Sequence, residues 1–539
     1  MKKILNLILI LFVSISLVAC AKANANIIEK EENKNEGEYA GKTVILHSND
    51  VHGAIEGYSY ISALKADYEE KGATVILVDD GDFSNGNVYV SLSKGESAIT
   101  LMEQVGYDVV TIGNHEFDFG FDNLVSNVSD RSFETICSNL YKGDELVFDD
   151  NVIIKVGKLK IGFFGLLTPE TQTKVIPSAV AGLTFTEKED MYEVAKQEIE
   201  ELKKDADIII CLSHLGVDAS SKGNSSYDVY NSVEGIDFII DGHSHTVMES
   251  GDNGEPIQST GTAFANVGVI VIDNTSKAIE SNMLIATEGL EQNEEDLATA
   301  QNIIATVDEQ YGIKFAETAV NLLGEKVDIR SGETNLGDLV ADSMIWSATN
   351  ENELEVDLDH VVAATNSGGI RASVEIGDIS RSTVKTILPF GSTIALNYIT
   401  GAELLEALEA STYSTPEPLG GFPQIGGMKI SIDTTVEYDA GSEYPDSTYC
   451  APNSIRRVTI LEVNGQPFDE NATYAVVTNN FCAAGGDTYY SFKRAYDEGK
   501  GFDTSIPMDE ALVNYISYEL GGKIDERYAQ ADGRIKIIE

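Results

Sequence analysis

Short apolar runs that end in polar residues recur through the first half of the chain. Five such runs cover residues 43–47, 74–78, 109–110, 208–212 and 236–240. Their β-branched and aliphatic composition, bounded by Gly, Asp and Asn, is typical of buried strands. Since ligand sites of open α/β sheets lie beyond the carboxyl ends of the strands, we expect the polar residues after these runs to meet at one site.

Helical periodicity fills the gaps between these strands. Residues 58–71 and 187–204 are predicted helices, and residues 160–167 and 268–273 are further predicted strands. This alternation predicts an α/β domain over residues 42–288. The stretch 289–317 is rich in Glu, Gln, Asn and Ala at helical spacing and is predicted to be a linker helix. A second domain is expected over residues 318–539, because 539 residues exceed what one core accommodates.

The first twenty residues have the features of a bacterial lipoprotein signal. Lys2 and Lys3 precede an apolar run over residues 4–18, and Ala19 precedes Cys20. Cleavage before Cys20 would leave a lipidated cysteine, so we expect an extracytoplasmic protein anchored to the bacterial cell membrane. A short uncleaved anchor or an ordinary secretory peptide are the alternatives. Residues 21–41, rich in Asn, Glu and Lys, are predicted to form a flexible tether.

The formal net charge of −51 narrows the class of partners. A nucleic-acid polymer would be repelled by such a surface, so none is expected as a partner. A protein this acidic that handles anions must concentrate its positive charge locally. The cysteines after Cys20 are far apart, which gives no zinc cluster. A bridge between Cys450 and Cys482 stays open beside the free-thiol alternative.

The loops after the five runs carry an imidazole, carboxylate and amide set without a thiolate. Five of the seven histidines of the chain fall in these loops. Such a set suits zinc, manganese, iron or cobalt, and two adjacent cations require one bridging carboxylate. The candidate ligands are Asp50, His52, Asp82, Asn114, His214, His243 and His245.

The motifs Asp-Val-His-Gly, Gly-Asp, Gly-Asn-His-Glu-Phe-Asp, Ser-His-Leu-Gly and Gly-His-Ser-His follow one another in this order. Together they resemble the binuclear metallophosphoesterases, and with the second domain they resemble the 5'-nucleotidase/UDP-sugar hydrolase family. The resemblance implies an N-terminal calcineurin-like α/β/β/α sandwich and an α+β substrate-binding domain. It also implies two divalent metal ions, zinc, manganese, cobalt or similar, bridged by Asp82.

The ligands of each metal follow from the same resemblance. One ion would be held by Asp50, His52, Asp82 and His245. The other would be held by Asp82, Asn114, His214 and His243. His115, oriented by Asp118, would stabilise the transition state. A pair of such cations activates water for in-line attack on phosphorus and stabilises the oxygens that gain charge.

The second domain resembles the part of the family that binds the substrate. Arg330, Asn366 and Arg371 would contact the phosphate-bearing or ribose part of a nucleotide. Phe390 and Phe481 each lie on a turn of small residues, and the resemblance implies that their rings stack on the base. Asp487 would hold the ribose hydroxyls. The resemblance further implies a cleft between the domains whose closure completes the site.

These expectations describe an enzyme that hydrolyses nucleoside 5'-monophosphates to nucleoside and phosphate outside the cytoplasm. UDP-sugars, nucleoside di- or triphosphates and 2',3'-cyclic nucleotides are alternative substrates. A nucleotide-binding lipoprotein is an alternative of another class, although a pure binder has no need of the His115–Asp118 pair. A surface adhesin with an idle enzyme fold fits the tether but not the complete set of ligands.

Overall fold

The first domain is built on two β-sheets packed face to face. The computed structural model describes residues 26–218, 221, 223–445 and 447–539, so the predicted signal over residues 1–20 lies outside it. The seven-stranded sheet contains, in spatial order, Asn26–Lys30, Asn151–Val156, Leu159–Leu167, Ile208–His214, Phe238–Asp241, Ile257–Thr260 and Val247–Met248. The six-stranded sheet contains Ala278–Ala286, Asn266–Asp273, Lys42–Ser48, Thr74–Asp79, Val109–Val110 and Glu134–Thr135. A small sheet adds Leu183–Phe185, Leu140–Lys142 and Glu145–Leu146.

Helices cover the outer faces of both sheets. Ile45 and Ile76 of the six-stranded sheet pack against Phe163 and Ile210 of the other, forming a buried layer between them. The main helices of this domain are Tyr58–Glu70, Val88–Ser91, Glu96–Val105, Phe121–Val128, Thr171–Lys174, Lys188–Leu202 and Ser226–Ser232. Because strands buried on both faces read as continuous apolar runs, their positions were predictable from sequence. The expected α/β/β/α sandwich is confirmed.

The five predicted strands divide between the two sheets. Lys42–Ser48, Thr74–Asp79 and Val109–Val110 pair in parallel in one sheet, whereas Ile208–His214 and Phe238–Asp241 pair in parallel in the other. Their carboxyl ends lie on the same side of the sandwich, so the five loops meet across the gap between the sheets. The strand pattern alone indicates a site at the edge of one sheet. In the structure, the site lies where the edges of two sheets meet.

Part of the predicted tether is ordered, which corrects the expectation for residues 26–41. Asn26–Lys30 pairs in parallel with Asn151–Val156 at the edge of the seven-stranded sheet. Ile28 packs against the layer between the sheets, and the Lys30 amine lies 2.6 Å from Asp108 Oδ1. The Asn33 amide then donates to the carbonyl of Ala73. A composition rich in Asn, Glu and Lys hid these few anchoring residues.

The second domain centres on a five-stranded mixed sheet whose strands, apart from the partly exposed edge strand Gly501–Pro507, are buried on both faces. Its strands are Pro423–Gly426, Val361–Asn366, Thr473–Asn479, Thr393–Thr400 and Gly501–Pro507. Smaller sheets contain Gly377–Ser380, Lys314–Thr318 and Lys523–Ile524, then Val458–Val463, Met428–Asp433 and Ile535–Ile538, then Ala440–Glu443 and Cys450–Pro452. The helices are Lys326–Ile329, Asn335–Glu351, Arg381–Ile387, Gly401–Ser411, Asn480–Ala483, Tyr490–Asp497 and Met508–Asn514. Neighbouring residues of one strand, such as Val476 and Val477, enter separate apolar cores on opposite faces.

The helix Glu294–Tyr311 connects the domains, and the Asn293 side chain caps its first turn. This element falls within the predicted linker 289–317. The next strand, Lys314–Thr318, pairs with Gly377–Ser380 and so belongs to the second domain, which begins about four residues earlier than predicted. Within the described residues, no helix combines the length and the apolar composition needed to cross a membrane. The described thiols, Cys137, Cys211, Cys450 and Cys482, are free.

Candidate active site

The candidate metal ligands converge at the shared edge of the two sheets. Their ligand atoms form overlapping groups in which the atoms lie within 4.8 Å of one another. The members of these groups are Asp50, His52 and His245, then His52, Asp82 and His115, and then Asp82, His214 and His243. Asn114 joins them because its Oδ1 lies 2.8 Å from His243 Nδ1. All seven predicted ligands are thus in one cluster, with Asp82 shared by two groups.

Backbone strain marks the same cluster. Five of its residues have left-handed backbone conformations, with φ of 49°, 46°, 61°, 69° and 59° for Asp50, His52, Asp82, His243 and His245. This region is uncommon for non-glycine residues and costs on the order of 1–3 kcal/mol at each position. The strain turns these side chains inward at the point where each strand ends.

The Glu116 carboxylate holds the strained loops together. It accepts hydrogen bonds from the backbone N–H groups of Asp82, Phe83, Ser84 and Gly113 at 2.6–2.9 Å. Four donors on one buried carboxylate fix the loop of Asp82 against the loop of His115. Glu116 is therefore a structural member of the site, although it does not face the cleft.

The donor set fits divalent cations. Asp50 Oδ1 and His214 Nε2 are buried without a well-oriented hydrogen bond. Each lies beside another candidate ligand, His245 Nε2 at 3.3 Å and Asp82 Oδ2 at 3.2 Å, as expected for atoms that converge on a metal. In two of the histidines the Nδ1 atom is engaged in a hydrogen bond. His214 Nδ1 donates to the Asp80 carbonyl, and His52 Nδ1 donates to the Asn85 carbonyl. Such bonds fix the ring so that Nε2 points into the cluster. Asp50, His52, Asp82, Asn114, His214, His243 and His245 are the residues that would hold the metal.

His115 and Asp118 form the predicted pair beside the cluster. His115 Nδ1 lies 2.6 Å from Asp118 Oδ2, and that same oxygen accepts a bond of 2.7 Å from the Asn85 amide. Burial lowers the pKa of His115, but the charges of Asp118 and Asp82 outweigh it, so the pKa is raised. The imidazole therefore keeps its second proton to higher pH than a free histidine, with Nε2 left to donate.

A cleft of about 740 Å³ lies between the domains and joins the two halves of the predicted site. The first domain contributes Asp82, Asn114, His115, Asp118, His243 and His245 to its lining. The second domain contributes Arg330, Asn366, Arg371, Phe390, Phe481 and Asp487. The structure therefore brings every predicted substrate-binding residue to the same cavity as the metal ligands.

Contacts between the domains already engage Phe390. Its ring stacks on His115 with centroids 5.6 Å apart and an interplanar angle of 20°, and the Arg371 guanidinium lies 5.6 Å from its centroid. In the described residues no ring contact joins Phe390 to Phe481. In this arrangement Phe390 packs on His115, and its stacking on a base stays a prediction.

Three neighbouring cationic side chains, Lys326, Arg330 and Arg371, line the cleft. Burial and the neighbouring Arg371 lower the pKa of Arg330 to about 10, and burial lowers the pKa of Arg371. Burial, Arg330 and Arg371 together lower the pKa of Lys326 to about 8. Three cations crowded together raise each other's free energy, and an anion between them relieves that cost.

Comparison with known proteins decides the family. The sequence model described as "Calcineurin-like phosphoesterase" matches residues 43–247, and the one described as "5'-nucleotidase, C-terminal domain" matches residues 313–494. The chain belongs to the 5'-nucleotidase family of metallophosphoesterases. It is a hydrolase, as the sequence motifs predicted, and its described residues include groups that could hold metal ions.

Individual members of the 5'-nucleotidase family resemble nearly the whole chain. The chain is 27% identical to the trifunctional nucleotide phosphoesterase protein YfkN of Bacillus subtilis over 92% of its own length, but it spans only 35% of that protein. It is 27% identical to a 5'-nucleotidase of Vibrio cholerae, with 91% of this chain and 92% of that protein covered. The crystal structure of a 5'-nucleotidase precursor from Thermus thermophilus superposes with a TM-score of 0.75 at 26% identity, covering 92% and 99% of the two chains.

Several residues of the site were not predicted from the sequence. Glu170 and Lys174 follow the strand Leu159–Leu167 and would have been found by applying the strand-end rule to a sixth strand. Asn85 acts through a side-chain contact with Asp118 that sequence spacing does not show. Lys326 and Tyr413 line the cleft without a local motif.

Proposed function

We propose that this 5'-nucleotidase family member hydrolyses nucleoside 5'-monophosphates to nucleoside and phosphate. The reaction would use two divalent cations, and Asp82, which belongs to two of the ligand groups, would help to hold both. The observation that carries the proposal is one cleft of about 740 Å³ that is lined by four of the predicted metal ligands and by the arginines, amide and carboxylate of the second domain. The four ligands are Asp82, Asn114, His243 and His245. The cluster has room to take the phosphate end of a nucleotide, and the second domain presents groups suited to its sugar and base.

The residues around the cleft have distinct tasks in this reaction. Arg330 and Arg371 neutralise the phosphate, because planar guanidinium groups match its oxygens. His115 donates from Nε2 to a phosphate oxygen or to the leaving oxygen, and Asp118 keeps the ring in that orientation at 2.6 Å. Asn366 and Asp487 supply an amide and a carboxylate for the ribose hydroxyls.

The proposal is tested with the protein comprising residues 21–539, stripped of metal and then supplied with zinc, manganese, cobalt or magnesium. Phosphate release is measured with AMP, UMP, ATP, UDP-glucose and a 2',3'-cyclic nucleotide. We expect metal-dependent turnover led by the 5'-monophosphates. His115→Ala should lose about 10²-fold or more in kcat, consistent with loss of an acid or charge-stabilising group. The matched control is His360→Ala, since His360 lies outside the cleft.

A second candidate activity is hydrolysis of nucleoside di- or triphosphates or of UDP-sugars. Lys326 favours it, because a third cation beside Arg330 and Arg371 gives the cleft charge for more than one phosphate. Relatives carry the names trifunctional nucleotide phosphoesterase and, in Tabanus yao, apyrase. The same substrate panel ranks these activities, and tight nucleotide binding without any turnover would move the protein to the class of nucleotide-binding lipoproteins.

We also propose that the enzyme acts outside the cytoplasm on a lipid anchor at Cys20. The support is the charged start, the apolar run and the residue pair Ala19–Cys20. In a bacterial host, the full chain should incorporate radiolabelled palmitate and sediment with membranes. Cys20→Ala should abolish the label, and labelling of that variant at the same level would contradict the assignment.

A further inference from the structure

A short segment of the first domain reaches across the cleft to the sugar end of the site. The segment is the helix Thr171–Lys174, which follows the strand Leu159–Leu167. The backbone N–H of Asp487 donates to the carbonyl of Thr173 at 2.9 Å. Lys174 Nζ donates to the Tyr449 hydroxyl at 2.8 Å and lies 3.8 Å from Asp487 Oδ1. All three contacts join one domain to the other, and two of them involve Asp487, the residue predicted to bind the ribose.

The same lysine also faces the metal cluster. Lys174 Nζ lies 3.9 Å from Glu170 Oε2, and that oxygen lies 3.3 Å from His243 Nε2. The side chains of Glu170 and Asp487 are 3% and 4% exposed, so both carboxylates are withdrawn from water. A continuous series of charged contacts therefore runs from a metal ligand, through Glu170 and Lys174, to Asp487.

Asp487 depends on such partners for its geometry. Its backbone is left-handed, with φ of 52°, and its Oδ2 accepts a bond of 2.9 Å from Asn366. Burial raises the pKa of Asp487, and the charge of Lys174 is the largest opposing influence. A buried carboxylate without a cation nearby is costly, so loss of the lysine would change how this group is oriented.

We propose that Lys174 is a positioning residue that orients Asp487 to bind the ribose hydroxyls when the two domains are in contact. Lys174 belongs to the first domain, which holds the metal ligands, and Asp487 belongs to the second domain. The positive charge of Lys174 therefore orients, from the opposite domain, the carboxylate that would bind the sugar. The inference rests on the proposed function in one respect, namely that Asp487 binds the ribose of a nucleotide. The inference gives a role in substrate specificity to Lys174, which is neither a predicted metal ligand nor one of the predicted phosphate-binding arginines.

The experiment compares Lys174→Met with a matched control, Lys188→Met, in the metal-loaded protein comprising residues 21–539. Lys188 also crosses between the domains, with Nζ 3.4 Å from Glu443 Oε1, but that pair is exposed and lies outside the cleft. Calorimetric titration measures the binding of adenosine and of 2',3'-dideoxyadenosine, which lacks both hydroxyls. We expect wild type and Lys188→Met to prefer adenosine, and Lys174→Met to lose about tenfold of that preference.

A kinetic readout separates positioning from a general structural effect. We expect Lys174→Met to raise KM for AMP with little change in kcat. Its kcat/KM for AMP should fall about tenfold more than that for an aryl phosphate without a sugar. Lys174→Arg retains the charge and should keep most of the preference, and thermal melting verifies that each variant is folded. Combined with Asp487→Asn, the lysine change should add no further loss of preference, because both act on the same hydroxyls.

Each outcome decides the inference. An unchanged preference in folded Lys174→Met would overturn it, and so would equal binding of the two nucleosides by wild type. An equal loss for AMP and aryl phosphate would assign Lys174 to the metal site instead. If wild type binds adenosine with the expected preference but hydrolyses no 5'-monophosphate, the proposed function fails and the role of Lys174 stands.

Discussion

At the scale of single residues, the site is a set of side chains held in conformations that local preferences disfavour. Asp50, His52, Asp82, His243 and His245 all have positive φ. Their strain is sustained by bonds such as those from the loop backbone to Glu116. The sequence shows which residue types form the site, but it does not show the strained backbone conformations that orient their side chains.

Replacing the shared ligand tests the metal assignment. Asp82→Ala removes the carboxylate that belongs to two ligand groups, so we expect it to lose at least about 10²-fold in kcat. Metal content measured by mass spectrometry should fall well below that of wild type. Asp122→Ala, at an exposed position, is the control. Full activity of Asp82→Ala would mean that the ligand assignment is wrong.

A glycine beside the bridge gives an independent test. A Cβ at Gly113 would lie 2.2 Å from Asp82 Oδ1 and 2.7 Å from His214 Nε2. Gly113→Ala must therefore displace two ligands, and we expect loss of bound metal and about tenfold or more in kcat/KM. At Gly332 the nearest atom to a Cβ is 3.8 Å away, so Gly332→Ala should retain its metal. Normal metal content in Gly113→Ala would contradict the described packing.

A buried histidine outside the ligand set predicts a pH dependence of stability. Burial lowers the pKa of His47 to about 4, while the bond of 2.8 Å to Gln258 opposes the shift. Between pH 6.5 and 4 the unfolded chain binds this proton and the folded chain does not. The contribution is fully present above pH 6.5 and falls by about 3 kcal/mol as the pH drops to 4.

The measurement is the difference in thermal midpoint between pH 7 and pH 5 for wild type and His47→Gln. The glutamine cannot take up a proton, so its midpoint should fall less over this range, even if the variant is less stable at pH 7. Equal falls for the two proteins would show that His47 does not set this dependence.

At the scale of elements, the strand Asn26–Lys30 is the main departure from the sequence prediction. It occupies the edge of the seven-stranded sheet, and the segment after it is tied to the loop that precedes the strand Thr74–Asp79 by Asn33. Short helices matter in the same way, since Thr171–Lys174 carries the contacts to Tyr449 and Asp487. Two elements of four or five residues thus make important contacts. The strand Asn26–Lys30 completes the first domain, and the helix Thr171–Lys174 joins the first domain to the second.

Shortening the chain tests the role of this strand. A protein that begins at Gly37 loses the partial burial of Ile28 and the strand pairing, worth about 2 kcal/mol in the free energy of unfolding. For a domain of this size we expect its melting temperature to fall by roughly 4–8 °C relative to a protein that begins at Asn26. Identical melting temperatures of the two proteins would show that residues 26–36 do not stabilise the domain and belong to the flexible tether, as the sequence predicted.

At the scale of the whole molecule, the candidate site is divided between the two domains. The stack of His115 on Phe390 and the bond from Asp487 to Thr173 show the halves in contact. A substrate that bridges the metal cluster and the second domain must enter and its products must leave through this cleft. We therefore expect domain separation to limit turnover.

A cross-link across the cleft tests this expectation. Lys188→Cys and Glu443→Cys, in a Cys450→Ser background, replace the partners of an exposed ion pair between the domains. After reaction with a bis-maleimide reagent, kcat should fall about tenfold or more, while the unreacted double variant should match its background. Equal rates before and after cross-linking would show that the domains need not separate.

The sequence by itself determined the elements that obey local rules. Apolar runs at 43–47, 74–78, 208–212 and 236–240 overlap strands, because strands buried on both faces read as nearly continuous apolar runs. The loop motifs specified the ligand types and, through the resemblance, the family. Chemistry concentrated in short motifs of His, Asp and Asn needs no long-range information to be read.

The tertiary structure decided which of these parts meet. Two sheets supply the loops, Glu116 fastens them, and Lys174 contacts a carboxylate more than 300 positions away in the chain. The strand Asn26–Lys30 exists because its partner Asn151–Val156 leaves an open edge, which no local composition reports. Contacts between distant segments depend on the packing of the whole chain, and local propensity carries no signal of them.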